Sequence, residues 1–476
     1  MSVPRSSVPP IPCRPAGLAY RRRGLGPRAS IVALLLALVP APAARAGTIE
    51  DARKAMAKAL ASDDPAVRRT AFLGLMDFDG KDAFDDVAAV LGRESDPVVQ
   101  HAAVLAIGRM RTPAATDALA AATRAAKGPR RLLYLLAYRE QLSDAGKAVL
   151  LEIAGGTDPV AAAHAGLALA KKKAAEAAPL MVALLAQKDA PVRAAAARAL
   201  GELGVLAPKD TAAKLADALA TGDGRERTDL VAALEAITGQ KGLEDDPAAW
   251  KAVVGGAAAA GVTKAPRPTA YAVGVPVRGK RVVLVVDHSV STDDPHPFQD
   301  RERLQTLCKV PGARDVPWFK MKTIGDFLNA HATRMVADLP EGRAIGFIAT
   351  GGTKNDTKLA RPTPATPGAR TAVAKAIEAM KPENGLDLLG ALTAALDAGG
   401  KEPAALANGP DEIVYFGCGV PWQAPVKEPA AVGVSAGLRA RLRLVPIHMI
   451  GVGNHNADMY RTIADLSGGR YVDLSR

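Results

Sequence analysis

Five prolines, Pro65, Pro97, Pro129, Pro159 and Pro191, recur at intervals of 32, 32, 30 and 32 residues. A chain that repeats at this period must stack its units, because no single unit can bury its own apolar face. Three of the prolines follow aspartate, in Asp64-Pro65, Asp96-Pro97 and Asp158-Pro159. Asp as an N-cap with Pro at the first helical position is a helix start. Amphipathic stretches follow, as in 67–75, 98–107 and 192–203, and second helical stretches such as 84–91 and 175–186 lead to the next start. Gly222-Asp-Gly224 marks a sixth, less regular start, and Asp246-Pro247 opens a last short helix whose Trp250 can close the stack. The spacing predicts an all-α solenoid over residues 47–255. An aromatic content of 4% suits such close-packed, alanine-rich helices.

The second half has a different grammar. Arg281-Val-Val-Leu-Val-Val286 reads as a strand buried on both faces. Aliphatic strands then alternate with amphipathic helices: strands at 343–349, 412–416, 444–450 and 470–473, helices at 318–339, 368–380, 386–398 and 459–466, and a short edge strand near Lys358. That alternation predicts an α/β doubly wound parallel sheet, Rossmann-like in layout, over residues 278–476. Residues 256–277, rich in Ala, Gly and Pro, read as a linker. Residues 292–317 carry four prolines and no apolar period, and read as a long functional loop. Directly after the first strand come Asp287, Ser289 and Ser291. Ligands of open α/β sheets bind at the carboxyl edge of the strands, and one carboxylate with two hydroxyls suits Mg²⁺ or Ca²⁺.

Charge and targeting narrow the function classes. The formal charge is +12, but residues 1–46 contain seven arginines and no acid, which leaves +5 for the rest. No basic patch interleaved with aromatics is present, so nucleic acid is not an expected partner. Arg21–Arg23 and Arg28 precede a short apolar run from Ile31 to Val39, and Ala44-Arg45-Ala46 is a small-x-small site. Residues 1–46 therefore read as a signal peptide, too short in its apolar part to span a bilayer. The expected location is outside the cytoplasm: periplasm, cell surface or extracellular, with no membrane span in the mature chain. Cys13 falls in the signal, so Cys308 and Cys418 are left as one bridge at most.

The repeats, with Val-Arg shortly after the helix-starting proline, resemble HEAT repeats. The Asp-x-Ser-x-Ser run at the end of an aliphatic strand, the strand–helix order and the closing Ser-Gly-Gly-Arg-Tyr-Val resemble the von Willebrand factor A (VWA) family and its metal-ion-dependent adhesion site. HEAT-like repeats followed by such a domain resemble an architecture of exported bacterial proteins. The resemblance implies three metal-binding loops. The first is complete in Asp287, Ser289 and Ser291. In the second the family's threonine is replaced by Leu386, with Asp387 adjacent. In the third Cys418 takes the place of an aspartate. Leucine offers no oxygen and sulfur is a soft donor, so this set predicts weak binding of Mg²⁺ or Ca²⁺, or none.

Two further chemistries belong to the same rim. His288, Cys418 and His455, with Asp293, Asp294 and His296, contain ligand types that suit Zn²⁺. Cys418 with His455 as its base is the enzymatic alternative, a metal- or thiol-dependent hydrolase. His101, His164, His331 and His448 lie inside helices or strands and read as structural. The expectation is a non-enzymatic protein-binding scaffold whose sheet domain engages a protein partner, with the repeats as a second surface or a stalk.

Overall fold

The structure, a computed structural model, describes residues 49–208, 210–256, 269–295, 316, 321–352, 354–400 and 408–475. The expected signal peptide, Cys308, His296 and Trp318 lie outside the described residues. The chain divides into residues 1–51 and residues 52–476.

The first half is helical throughout: α1 (Ile49–Ala59), α2 (Pro65–Leu75), α3 (Lys81–Leu91), α4 (Pro97–Ile107), α5 (Pro113–Ala125), α6 (Gly128–Ala137) and α7 (Asp144–Ala154). It continues through α8 (Pro159–Lys171), α9 (Ala178–Leu184), α10 (Ala190–Leu203), α11 (Thr211–Thr221), α12 (Arg225–Thr238) and α13 (Pro247–Val254). The aspartates before the prolines do what the spacing predicts: Asp64, Asp96, Asp158 and Asp246 each accept from backbone N–H groups of their helix's first turn. The arginine three residues or so into a repeat links it to the next. Arg68 Nε donates to Glu94 Oε2 at 2.7 Å, and Arg193 Nε to Glu226 Oε2 at 2.6 Å. Successive first helices pack side by side, α8 on α10 and α10 on α12. Alanine faces make this possible: seven alanines of α8 and α10, Ala161–Ala163, Ala165 and Ala195–Ala197, have essentially no exposed surface. Trp250 is fully buried at the end of the stack, its Nε1 donating to Glu244 O at 2.9 Å.

The second half is a six-stranded sheet in the order β5-β4-β3-β6-β7-β8. Its strands are β3 (Arg281–Asp287), β4 (Ala344–Thr350), β5 (Asp356–Pro364), β6 (Glu412–Gly417), β7 (Ile447–Val452) and β8 (Tyr471–Leu474). Strand β3 is central, parallel to β4 on one side and β6 on the other. Helices α14 (Ile324–Asp338) and α15 (Pro367–Glu378) cover the face carrying Val282, Leu284 and Val286. Helices α16 (Leu388–Asp397), α17 (Pro429–Leu442) and α18 (Ala457–Ser467) cover the face carrying Val283 and Val285.

Two expectations need correction. The sheet is not wholly parallel, because β5 runs antiparallel to β4. Only five residues separate these strands, too few for the crossover a parallel pair needs. Strand β5 is also longer than the Lys358 stub expected, and its Pro362 and Pro364 suit a sheet edge. Within the stretch read as a linker, β1 (Ala270–Ala272) and β2 (Val275–Val277) form an antiparallel hairpin. Its alanines and valines belong to the core on the α14 face.

The repeats are no free stalk. Helix α17 of the sheet half lies against α4 and α6, and Leu438 and Leu444 are buried in the repeats' own core. His164 Nε2 meets Leu442 O at 3.3 Å, and Arg225 Nη1 donates to Leu444 O at 3.0 Å. Arg343 pairs with Asp223 at 2.9 Å, and Arg278 donates to Thr228 Oγ1 at 3.0 Å.

Candidate functional site: a closed rim at the carboxyl edge

The register of the central strands sets the site. With β3 and β6 parallel and in step through Val286 and Phe416, the residues that follow each strand emerge at the same edge. Asp287 is thereby brought against Cys418, as the sequence predicts. The Asp287 side chain is 1% exposed. Its Oδ1 accepts from Ser289 N at 2.8 Å. Its Oδ2 accepts from Gly419 N at 2.8 Å, Cys418 N at 3.1 Å and Tyr415 Oη at 3.4 Å. Three backbone amides and a phenol thus surround one carboxylate, with the Cys418 thiol 3.8 Å from Oδ2.

The other expected ligands are placed differently. Ser289 Oγ is buried without a protein partner. Ser291 is half-buried in a short 3₁₀ turn over Val290–Asp293. Asp387 caps α16, its Oδ1 accepting from Gly390 N at 2.9 Å. Leu386 is 1% exposed and packs where loops one and three meet. A Cβ built on Gly419 would lie 2.6 Å from Leu386 Cδ2, 2.9 Å from Asp287 Oδ2 and 3.0 Å from Ser289 Oγ. Glycine is needed there because an aliphatic carbon and two oxygens converge on it.

This donor set does not suit the hard cation that the Asp-x-Ser-x-Ser resemblance implies. Mg²⁺ and Ca²⁺ need several oxygens turned toward one point. Here the carboxylate faces N–H donors of its own chain, the second loop presents a methyl group and the third a thiol. Among the described residues no group of three or more His, Cys, Asp or Glu side chains is arranged to hold a metal.

The zinc and thiol readings fare no better on geometry. His455 is engaged at both ring nitrogens: Nδ1 donates to Gly453 O at 3.2 Å and Nε2 accepts from Tyr471 Oη at 2.6 Å. His288 opens instead onto a cavity of about 540 Å³ shared with Phe347, Met380, Lys354 and Glu383. Burial lowers the basicity of both histidines. Cys418 is 2% exposed, and burial, then the Asp287 charge, push its thiol far above the usual range. Such a thiol is not a nucleophile at neutral pH.

Residues that the sequence reading did not single out complete the site. Tyr460 Oη donates to Gly419 O at 3.1 Å and lies 3.2 Å from Tyr415 Oη. The two rings meet edge to face at 5.4 Å between centroids. Burial raises both phenols well above their ordinary range, so they act as neutral donors behind the carboxylate. Tyr415 inside an aliphatic strand was the available signal, since a buried phenol needs a partner. Above this layer, loop two bridges its neighbours. Ser289 pairs with Glu383, and Leu386 pairs with Trp422 through N–H···O bonds of 2.8 and 3.3 Å. These loops expose three large apolar side chains: Val290 is 49% exposed, Val420 43% and Trp422 61%.

The helix stack and the six-stranded sheet now have counterparts among known families. A HEAT repeat model matches residues 51–137 and 148–235, and a von Willebrand factor type A domain model matches residues 323–473. The chain carries HEAT repeats and a VWA domain. The matched VWA residues begin after β3, yet β3 is the centre of that domain's sheet. No curated protein matches the chain. Among solved structures, a von Willebrand factor type A protein from Catenulispora acidiphila is similar at 14% identity, over 41% of this chain and 39% of that one, with a TM-score of 0.26. An engineered protein is similar at 14% identity over 88% and 82% of the two chains, with a TM-score of 0.27. The RO (RSR) protein of Deinococcus radiodurans is similar at 14% identity over 90% and 95%, with a TM-score of 0.20. Among the described residues no helix is long and apolar enough to cross a membrane.

Proposed function

We propose that this protein is a non-enzymatic interaction scaffold whose VWA domain engages a protein partner through the apolar rim of Val290, Val420 and Trp422, without a metal ion. HEAT and VWA domains both support a protein-interaction role. One observation carries the finer reading: Trp422 is held by two backbone hydrogen bonds to Leu386 and still exposes 61% of its surface. An exposed tryptophan on a backbone-fixed loop is the kind of anchor that dominates protein interfaces. In a metal-dependent adhesion site the cation supplies that anchor; here the aromatic side chain replaces it, and the Asp287 network serves as its foundation. The hydrolase alternative loses support from the buried Cys418 thiol and from a His455 committed to Tyr471.

The test is site-specific photocrosslinking in the source cell, with a photoreactive residue at position 422 and, as a control, at the exposed repeat residue Leu73. A discrete protein adduct from position 422, of equal yield with and without a chelator, is expected. Adducts only from position 73, or adducts from 422 that vanish with the chelator, would count against the reading. Export is proposed from the sequence of residues 1–46, and N-terminal sequencing of the mature protein is expected to begin at Gly47.

A further inference from the structure

We propose that the HEAT repeats act as a latch on the rim: they hold the turn between α17 and β7 in a left-handed conformation, and through α17 they fix the loop that carries Trp422. The proposal rests on the rim reading for its functional meaning, though not for its mechanics. Helix α17 ends in a well-defined pattern. Leu444 N donates to Arg441 O at 3.0 Å and Val445 N to Ala440 O at 3.0 Å. This is the paired bonding of a Schellman ending, in which the residue after the cap takes positive φ and is usually glycine. Here that residue is Leu444, with φ +58°. A bulky side chain there is a genuine outlier, sustained only when its surroundings over-determine it.

Those surroundings are the repeats. The Leu444 side chain is 3% exposed and belongs to the repeats' hydrophobic core. Its carbonyl accepts from Arg225 of α12, and two residues earlier Leu442 O accepts from His164 of α8. Three repeat contacts therefore converge on one strained turn. The other end of α17 leads directly into residues 418–428, whose Cys418 and Gly419 amides hold Asp287 and whose Trp422 amide bonds Leu386. Glu428, at the N-cap of α17, is tied to the repeats by Arg69 at 3.5 Å. That exposed pair is a weak tie, but α17 also packs along α4 and α6, so a shift of the repeats moves the helix and the loop that enters it. A partner on the repeats thus biases the state of the Trp422 surface, and the reverse holds by linkage.

Hydrogen–deuterium exchange of the full chain tests this without a partner. Arg225→Met keeps the apolar stem and removes the donor to Leu444 O. It is expected to speed exchange at least tenfold at 441–447 and also at 418–424, with 281–287 unchanged. Leu444→Gly withdraws the plug from the repeats but accepts the left-handed turn. It is expected to speed exchange at 418–424 while 441–447 stays protected. A rise confined to 441–447 in the first variant, no rise at 418–424 in the second, or an equal rise that includes 281–287, would overturn the latch. The rim reading would survive any of these, since crosslinking at position 422 of the wild type is independent of them.

Discussion

At the scale of the residue, Asp287 is the hub of the sheet edge. Its carboxylate accepts from three amides and a phenol and is almost wholly buried. Removing it strands those donors, and each buried hydrogen bond to a charged group is worth about 1.5–3 kcal/mol. Asp287→Ala is therefore expected to lower stability by roughly 3–5 kcal/mol in urea denaturation, at about 1–3 kcal/mol for each donor left buried and unsatisfied, with part recovered by relaxation. A loss below about 1 kcal/mol, the range of exposed pairs, would mean the network is not structural. Cys418 gives a second residue-level outcome. With its thiol buried and pushed far above its usual range, it is expected to resist a thiol reagent at pH 8 until the chain unfolds. Rapid modification of the native protein would return the thiol chemistry to contention. Asp287 and Cys418 were legible in sequence as neighbours, because parallel strands end at one edge. Their relation was not: whether a carboxylate faces a cation or a ring of amides is decided by loop backbone, which periodicity does not report.

At the scale of the element, helix starts were the most readable feature and loops the least. Asp-Pro pairs cap α2, α4, α8 and α13 where the sequence puts them, because capping depends only on local chemistry. The full length and antiparallel direction of β5 and the buried hairpin of β1 and β2 escaped, since Pro-rich and Gly-rich segments give no period to read. The role of α17 escaped for another reason: its hydrophobic residues face two cores at once. That double contact makes a pH prediction. His101 is held at about 4, by burial first and then by Arg441 and Arg69, with Glu140 opposing. His164 is held at about 3, by burial first, with Arg139, Arg441 and Arg198 adding to it and the Leu442 carbonyl opposing. Both are neutral in the folded and unfolded chain above about pH 6.5. Below that the unfolded chain takes up protons the folded chain refuses, so stability falls with acid until the folded values are passed. The wild type is expected to lose several kcal/mol, at about 1.4 kcal/mol per unit of depression for each histidine, between roughly pH 6 and 3. His101→Gln with His164→Gln is expected to flatten that limb of the curve; an unchanged limb would remove these side chains from the acid transition.

At the scale of the whole molecule, the repeats and the VWA domain share helix α17, and the proposed reading is a VWA domain that keeps the architecture of an adhesion site without its metal. Leu386, the Cys418 thiol and the amides around Asp287 occupy the sheet edge, and the proposed function moves recognition to the exposed Trp422 surface. Titration calorimetry of the full chain with Mg²⁺, Ca²⁺ and Mn²⁺ in turn tests this most directly. No saturable heat at millimolar metal and no change in the unfolding temperature are expected. One equivalent bound per chain, lost on Asp287→Ala, would contradict that expectation.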